Sequence, residues 1–237
     1  MQYLITGGTT GIGKAVLDQL VMQGHTVYNL DSQPLAHPIE NVIMVVCDVA
    51  NSASVGQAVE SITAPLDGIF INAGVHQSGS IEDLSFEQIK RVIDINLYGA
   101  IFTLKAFMPY VKDQGTVVLN GSDQTLVGKS NSFAYGLTKG AIGQMAKSLA
   151  LDYAKRQIRV NAVCPGTIDT PLFQNAIGET INHVEKTTIR QQEAALQPLN
   201  RLGRPADVAQ LVCFLLGPCS SFITGALMPI DGGYTAQ

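Results

Sequence analysis

Short apolar runs alternate along the chain with longer stretches of mixed apolar and polar residues. The runs Tyr3–Thr6, Thr26–Leu30, Val42–Cys47, Gly68–Asn72, Thr116–Asn120, Ile158–Val163 and Leu227–Ile230 are apolar and rich in β-branched residues. They predict parallel strands buried on both faces. The intervening stretches Gly13–Gln23, Ser54–Ile62, Phe86–Val111, Tyr135–Arg156 and Asp207–Leu216 predict helices. This alternation predicts an α/β fold, a doubly wound and mostly parallel seven-stranded sheet flanked by helices. Right-handed crossovers in such a sheet place a ligand beyond the carboxyl ends of the strands. Gly7, Asp31, Asp48, Asn72, Ser122 and Pro165 each follow a predicted strand end, which points to one shared site.

The connection from Asp31 to Asn41 breaks the alternation. It is short and carries Pro34 and Pro38, so a loop is expected where a crossover helix would normally stand.

Composition narrows the class of function. The chain has 237 residues, 46% hydrophobic and 14% charged, enough for a sizeable core. No linker, charge block or repeat marks a boundary, so residues 1–237 read as a single domain. A net charge of -4 without a basic cluster argues against nucleic acid as a partner. The first residues already read as a strand and no apolar run is long enough to span a bilayer, so neither an export signal nor a membrane partner is expected. Cys47, Cys164, Cys213 and Cys219 lack Cys-x2-Cys spacing and read as free thiols in a reducing cytoplasm. His25, His37, His76 and His183 show no metal-ligand spacing, so no metal site is expected.

Two motifs carry the chemistry. Thr6-Gly7-Gly8-Thr9-Thr10-Gly11-Ile12-Gly13 joins the first strand to the first helix. Glycines there allow a tight turn and close approach of a pyrophosphate, and the helix N-terminus offers unpaired N–H groups. Tyr135 and Lys139 stand four residues apart at the start of a predicted helix and share one face of it. A phenol beside an ammonium makes a proton donor and acceptor usable near neutral pH.

Together these motifs resemble the short-chain dehydrogenase/reductase family, over almost the whole chain. Asn72-Ala73-Gly74, Asn96, Ser122, Pro165-Gly166 and the tail from Ile223 to Gly233 fall in the family's order. The resemblance implies a Rossmann-type fold and a nicotinamide cofactor held by the turn residues Gly7, Thr9, Gly11, Ile12 and Gly13. It also implies contacts from Asp31, from Asp48 and Val49 at the adenine, and from Asn72, Ala73 and Gly74 at the riboses. Pro165, Gly166, Thr167, Ile168 and Thr170 correspond to the stretch beside the carboxamide. Asp31 ends the second strand, where a carboxylate accepts from ribose hydroxyls and repels a 2′-phosphate, so NAD is the expected cofactor.

By the same resemblance Tyr135 is the acid/base and Lys139 lowers its pKa while holding the nicotinamide ribose. Ser122 bonds the substrate oxygen, and Asn96 holds a water that links Lys139 to solvent. The implied reaction interconverts a secondary alcohol and a ketone. His76 either borders the substrate or is a surface residue; Asp123 and Gln124 are candidates to face substrate. The segment 171–198, with Phe173, Ile177, Ile181, Val184 and Ile189 among polar residues, reads as one or two short amphipathic helices. In the family it is a lid over the substrate. A homotetramer is implied, with a dimer next. Two other readings are a non-enzymatic NAD-binding sensor and an enoyl reductase. Sensors commonly lack the Tyr or Lys; enoyl reductases space them further apart, and Ile142 stands where that Lys is expected.

Overall fold

A computed structural model describes residues 1–178 and 183–237. These residues form a seven-stranded parallel sheet in the order β3-β2-β1-β4-β5-β6-β7. The strands are β1 (Gln2–Thr6), β2 (Thr26–Asp31), β3 (Val42–Val46), β4 (Leu66–Ile71), β5 (Val111–Asn120), β6 (Arg159–Pro165) and β7 (Leu227–Ile230). The helices are α1 (Gly11–Met22), α2 (Ser52–Ala58), α3 (Phe86–Ile93), α4 (Gly99–Phe107), α5 (Phe133–Asp152), α6 (Pro171–Ile177), α7 (His183–Ala195) and α8 (Pro205–Leu216). The order reverses between β1 and β4, which opens the crevice that such sheets use for ligands.

Alternate strand residues point to opposite faces, and the core divides accordingly. Leu4, Tyr28, Ile69 and Val117 pack with Leu104 and Phe107 of α4 and Ile142 and Ala146 of α5. Their neighbours Ile5, Val27, Phe70 and Val118 pack with Val16 and Leu20 of α1 and Val208 and Val212 of α8. Both faces are covered, as the near-continuous apolar strands require. Among the described residues no helix is long and apolar enough to cross a membrane.

The connection from β2 to β3 contains no helix, in line with Pro34 and Pro38. The long predicted helix Phe86–Val111 is instead interrupted. α3 ends at Ile93, a π-helical turn spans Asp94–Tyr98, and α4 comes after it. Pro109 lies in a 3-10 turn over Met108–Tyr110, and Val111 already begins β5, where it pairs with Leu66. Proline removes a backbone donor and closes the α-helix there. α5 starts at Phe133, two residues before the expected start, so Tyr135 sits in its first turn. It stops at Asp152, and Gln157 turns the chain with φ 53°.

Candidate active site

The turn between β1 and α1 is built on positive φ angles at Gly7 (70°) and Gly11 (57°). A Cβ on Gly13 would overlap the Gly7 carbonyl oxygen, so the first turn of α1 can sit against the loop only with glycine there. The Thr10 side chain does not cap α1, and no acidic residue occupies its first turn. The helix therefore keeps its positive end open, and Gly11 and Ile12 present it to the cavity. Asn72 closes the turn from β4. Its Nδ2 donates to the carbonyls of Thr6 (3.1 Å) and Gly7 (2.8 Å). The Thr6 hydroxyl accepts from the N–H groups of Asn72 (2.9 Å) and Ala73 (3.1 Å).

Asp31 stands beside this turn at the end of β2. Its Oδ2 accepts from the Thr9 N–H at 3.0 Å and its Oδ1 from the Gln33 N–H at 3.1 Å. Each carboxylate oxygen retains a second acceptor site. The uncapped helix end, the glycine loop and the anchored carboxylate line one cavity of about 700 Å³, and this surface fits a dinucleotide.

Lys139 reaches the same cavity from α5. It is buried, with Nζ donating to the Asn120 carbonyl at 2.6 Å. Burial lowers its pKa to about 8, against a smaller opposing effect of the Cys164 thiol. Its ammonium lies 5.5 Å from the centroid of the Tyr135 ring. His76 packs edge-on against that ring, centroids 4.8 Å apart. Burial raises the Tyr135 pKa; the Ser122 hydroxyl opposes this and Asp123 adds to it. The net push of the protein's own groups on the phenol is upward, because desolvation of the phenolate dominates. The Thr125 hydroxyl ties α5 to the end of β5, donating to the Lys139 carbonyl (3.0 Å) and accepting from the Ser122 N–H (3.0 Å).

Of the site residues expected from the sequence, Thr9, Gly13 and Asn96 do not line the cavity; all the others do. Thr9 contributes its N–H to Asp31, and Gly13 permits the packing of turn on helix. Asn96, in the π-helical turn, is bonded at both ends of its amide. Its Oδ1 accepts from the Val75 N–H (2.8 Å), and its Nδ2 donates to the Val75 carbonyl (2.9 Å) and the Thr138 hydroxyl (3.2 Å). It pins the chain after β4 to α5. Thr170 caps α6 by accepting from the Phe173 N–H at 3.3 Å. His76, Asp123 and Gln124 all border the cavity.

The described part of the segment 171–198 borders the cavity. Phe173, Ile177 and Ile189 line the cavity, whereas Val184 is exposed; Ile181 lies outside the described residues. α7 is tied down by the Arg190–Asp169 ion pair and by the Thr167 hydroxyl donating to Glu193 at 2.9 Å. Arg190 holds the Asp169 carboxyl below its ordinary pKa. Sequence reasoning missed Asn120, Lys129 and Glu193. Asn120 could have been found, since it stands two residues before Ser122 at a strand end. Lys129 and Glu193 lie in segments with no spacing signal.

A family model described as Enoyl-(Acyl carrier protein) reductase matches residues 7–235. The chain is 33% identical over 247 residues to 2-(S)-hydroxypropyl-CoM dehydrogenase 3 of Xanthobacter autotrophicus (strain ATCC BAA-1158 / Py2), covering 98% of this chain and 95% of that one. A short chain dehydrogenase family protein from Francisella tularensis subsp. tularensis SCHU S4 superposes with TM-score 0.95 at 47% identity, covering 100% of this chain and 99% of that one. The ligand-free aldohexose dehydrogenase of Thermoplasma acidophilum superposes with TM-score 0.92 at 32% identity, covering 100% and 94%. Members of the family bind nicotinamide cofactors, with NADP in one solved relative and NADH in another. By fold, by the matched family model and by these relatives, the chain belongs to the short-chain dehydrogenase/reductase family of oxidoreductases.

Proposed function

We propose that the protein is an NAD-dependent oxidoreductase that interconverts a secondary alcohol and a ketone, with Tyr135 as acid/base. The observation that carries this reading is the meeting of Tyr135, Ser122 and Lys139 at one cavity that Asp31 also lines. The nicotinamide, when bound, supplies hydride acceptance and donation and a positive charge in its oxidised form. Tyr135 takes the alcohol proton in oxidation and returns it in reduction. Ser122 bonds the substrate oxygen and stabilises charge developing there. Lys139 holds the nicotinamide ribose, and its bond to the Asn120 carbonyl fixes where the ammonium stands. Asn96 keeps the backbone at Val75 in place and completes a proton path from Lys139.

Burial and Asp123 push the phenol pKa upward, and an oxidised nicotinamide bound beside Tyr135 would supply a positive charge that opposes this push. Asp31 favours NAD, because a 2′-phosphate would meet a carboxylate already fixed by Thr9 and Gln33. Carbonyl chemistry is preferred over enoyl reduction because the lysine stands four residues after the tyrosine and Ile142 is sealed in the core at 2% exposure.

Exposed apolar side chains on α4 and α5, among them Ile101, Leu137 and Leu151, together with Phe222 before β7, support a homotetramer. Four free cysteines suit a reducing cytoplasm. A panel of secondary alcohols and ketones assayed with NAD(H) and NADP(H) tests the reading. Turnover of at least one substrate with NAD(H) supports it; turnover confined to carbon–carbon double bonds would replace it.

A further inference from the structure

Ser122 carries one hydroxyl proton, and that proton is committed. Its Oγ donates to Asp123 Oδ1 at 2.7 Å. The other carboxylate oxygen of Asp123 forms an ion pair with Lys129 Nζ at 2.8 Å, with side-chain exposures of 4% for Asp123 and 21% for Lys129. Lys129 is held from its far side by the ring of Tyr234, whose centroid lies 4.4 Å from the ammonium. That ring is placed by the C-terminal turn. Asp231, itself buried, accepts there from the Gly233 N–H (3.0 Å), the Thr235 N–H (2.9 Å) and the Thr235 hydroxyl (2.6 Å). A continuous line of contacts therefore runs from the chain's last residues through Tyr234, Lys129 and Asp123 to Ser122, which lies beside the Tyr135 phenol.

We propose that Asp123 and Lys129 are positioning residues that govern the Ser122 proton and thereby the proton affinity of Tyr135. This rests on the reading of Tyr135 as acid/base. Two anions compete for one hydroxyl: the Asp123 carboxylate, and the phenolate or the developing substrate oxygen. While Ser122 donates to Asp123 it cannot donate to Tyr135. When Tyr135 ionises, the Ser122 hydroxyl can turn to it only if Asp123 gives up that bond. Lys129 makes this release tolerable by leaving Asp123 with an ionic partner in a buried setting, where an unpaired carboxylate is costly. It also offsets the Asp123 charge felt by the phenolate.

Other charged and titratable groups face Tyr135 as well. Lys139 approaches from α5, His76 from the loop after β4, and Cys164 of β6 lies behind Lys139. Glu193 of α7 acts on His76 across the cavity. None of these touches the Ser122 proton, so the Asp123–Lys129 pair has a separable effect.

The test is a 13C NMR titration of protein labelled at tyrosine Cζ, with Tyr135→Phe assigning the Tyr135 resonance. It needs neither substrate nor turnover, so a failed substrate screen and a failed positioning device give different results. Asp123→Asn keeps the shape and removes the charge; it lowers the Tyr135 midpoint, by a shift on the order of one pH unit. Lys129→Met raises it, and Lys129→Arg restores the parent value. In the Asp123→Asn background the upward shift from Lys129→Met is largely lost, because the carboxylate that Lys129 offsets is gone. Far-UV circular dichroism confirms that each variant is folded. A Tyr135 signal no more ionised in Asp123→Asn than in the parent at any pH would overturn the proposal. So would an undiminished upward shift from Lys129→Met in the Asp123→Asn background, which would mean that Lys129 acts on Tyr135 directly.

Discussion

Lys139 donates from a buried ammonium to the carbonyl of Asn120 at 2.6 Å, so one bond holds a charge that the core disfavours. Its pKa falls from 10.5 to about 8. That difference corresponds to about 3 kcal/mol of strain on the protonated form. Replacement by methionine removes the strain and leaves the Asn120 carbonyl unpaired, a loss of about 1 kcal/mol. Lys139→Met is therefore expected to be more stable than the parent at pH 7 by roughly 1–2 kcal/mol while losing activity. A folded pKa below the unfolded one sets the sign with pH. The cost is full below pH 8 and is relieved as pH rises from about 8 towards 10.5. Urea unfolding at pH 7 and pH 10 checks this; a stability difference between variant and parent that does not narrow at the higher pH would contradict it.

Gly13→Ala should damage both fold and site, because the added Cβ overlaps the Gly7 carbonyl. Overpacking of this kind costs typically 1–3 kcal/mol. The forced shift also disturbs the turn proposed to hold the cofactor phosphates. A lowered melting temperature together with loss of NADH fluorescence enhancement is the expected result. Unchanged binding would show that the tight turn is not needed for the cofactor.

Asp31→Ala should shift preference towards NADP(H). Removing the carboxylate takes away both ribose acceptors and the repulsion of a 2′-phosphate. It also frees the Thr9 and Gln33 N–H groups, which can then face a phosphate. Titration with both cofactors is the measurement. Equal affinity of the unmodified protein for NADH and NADPH would rule out this role for Asp31.

Most of the fold was legible because buried parallel strands write themselves as apolar runs, and the glycine turn after β1 announces the helix α1. Pro34 and Pro38 announced the helix-free connection for a local reason that tertiary packing did not override. The break at Asp94–Tyr98 was not legible. A π-helical turn has no composition signature, and it serves a contact, that of Asn96 with Val75, that lies 21 residues away in sequence. The site residues could be found where they stand at strand ends, as Asp31 and Ser122 do. Lys129 and Glu193 could not, because they reach the cavity from a loop and from α7 with no spacing signal in the sequence. Spacing reveals the ammonium beside Tyr135 but not the desolvation that pushes the phenol pKa upward.

Tyr135 is the proposed proton-transfer group, and Tyr135→Phe tests that role most directly. Burial and Asp123 raise the phenol pKa, so alcohol oxidation, which needs the phenolate, should rise with pH, and ketone reduction, which needs the phenol, should fall. The decisive measurement is NADH formation from a secondary alcohol by parent and variant, alongside NADH binding by fluorescence. The expected result is unchanged binding and a loss of turnover by a factor of roughly one hundred or more. Near-parent turnover by Tyr135→Phe, with the same pH profile, would contradict it.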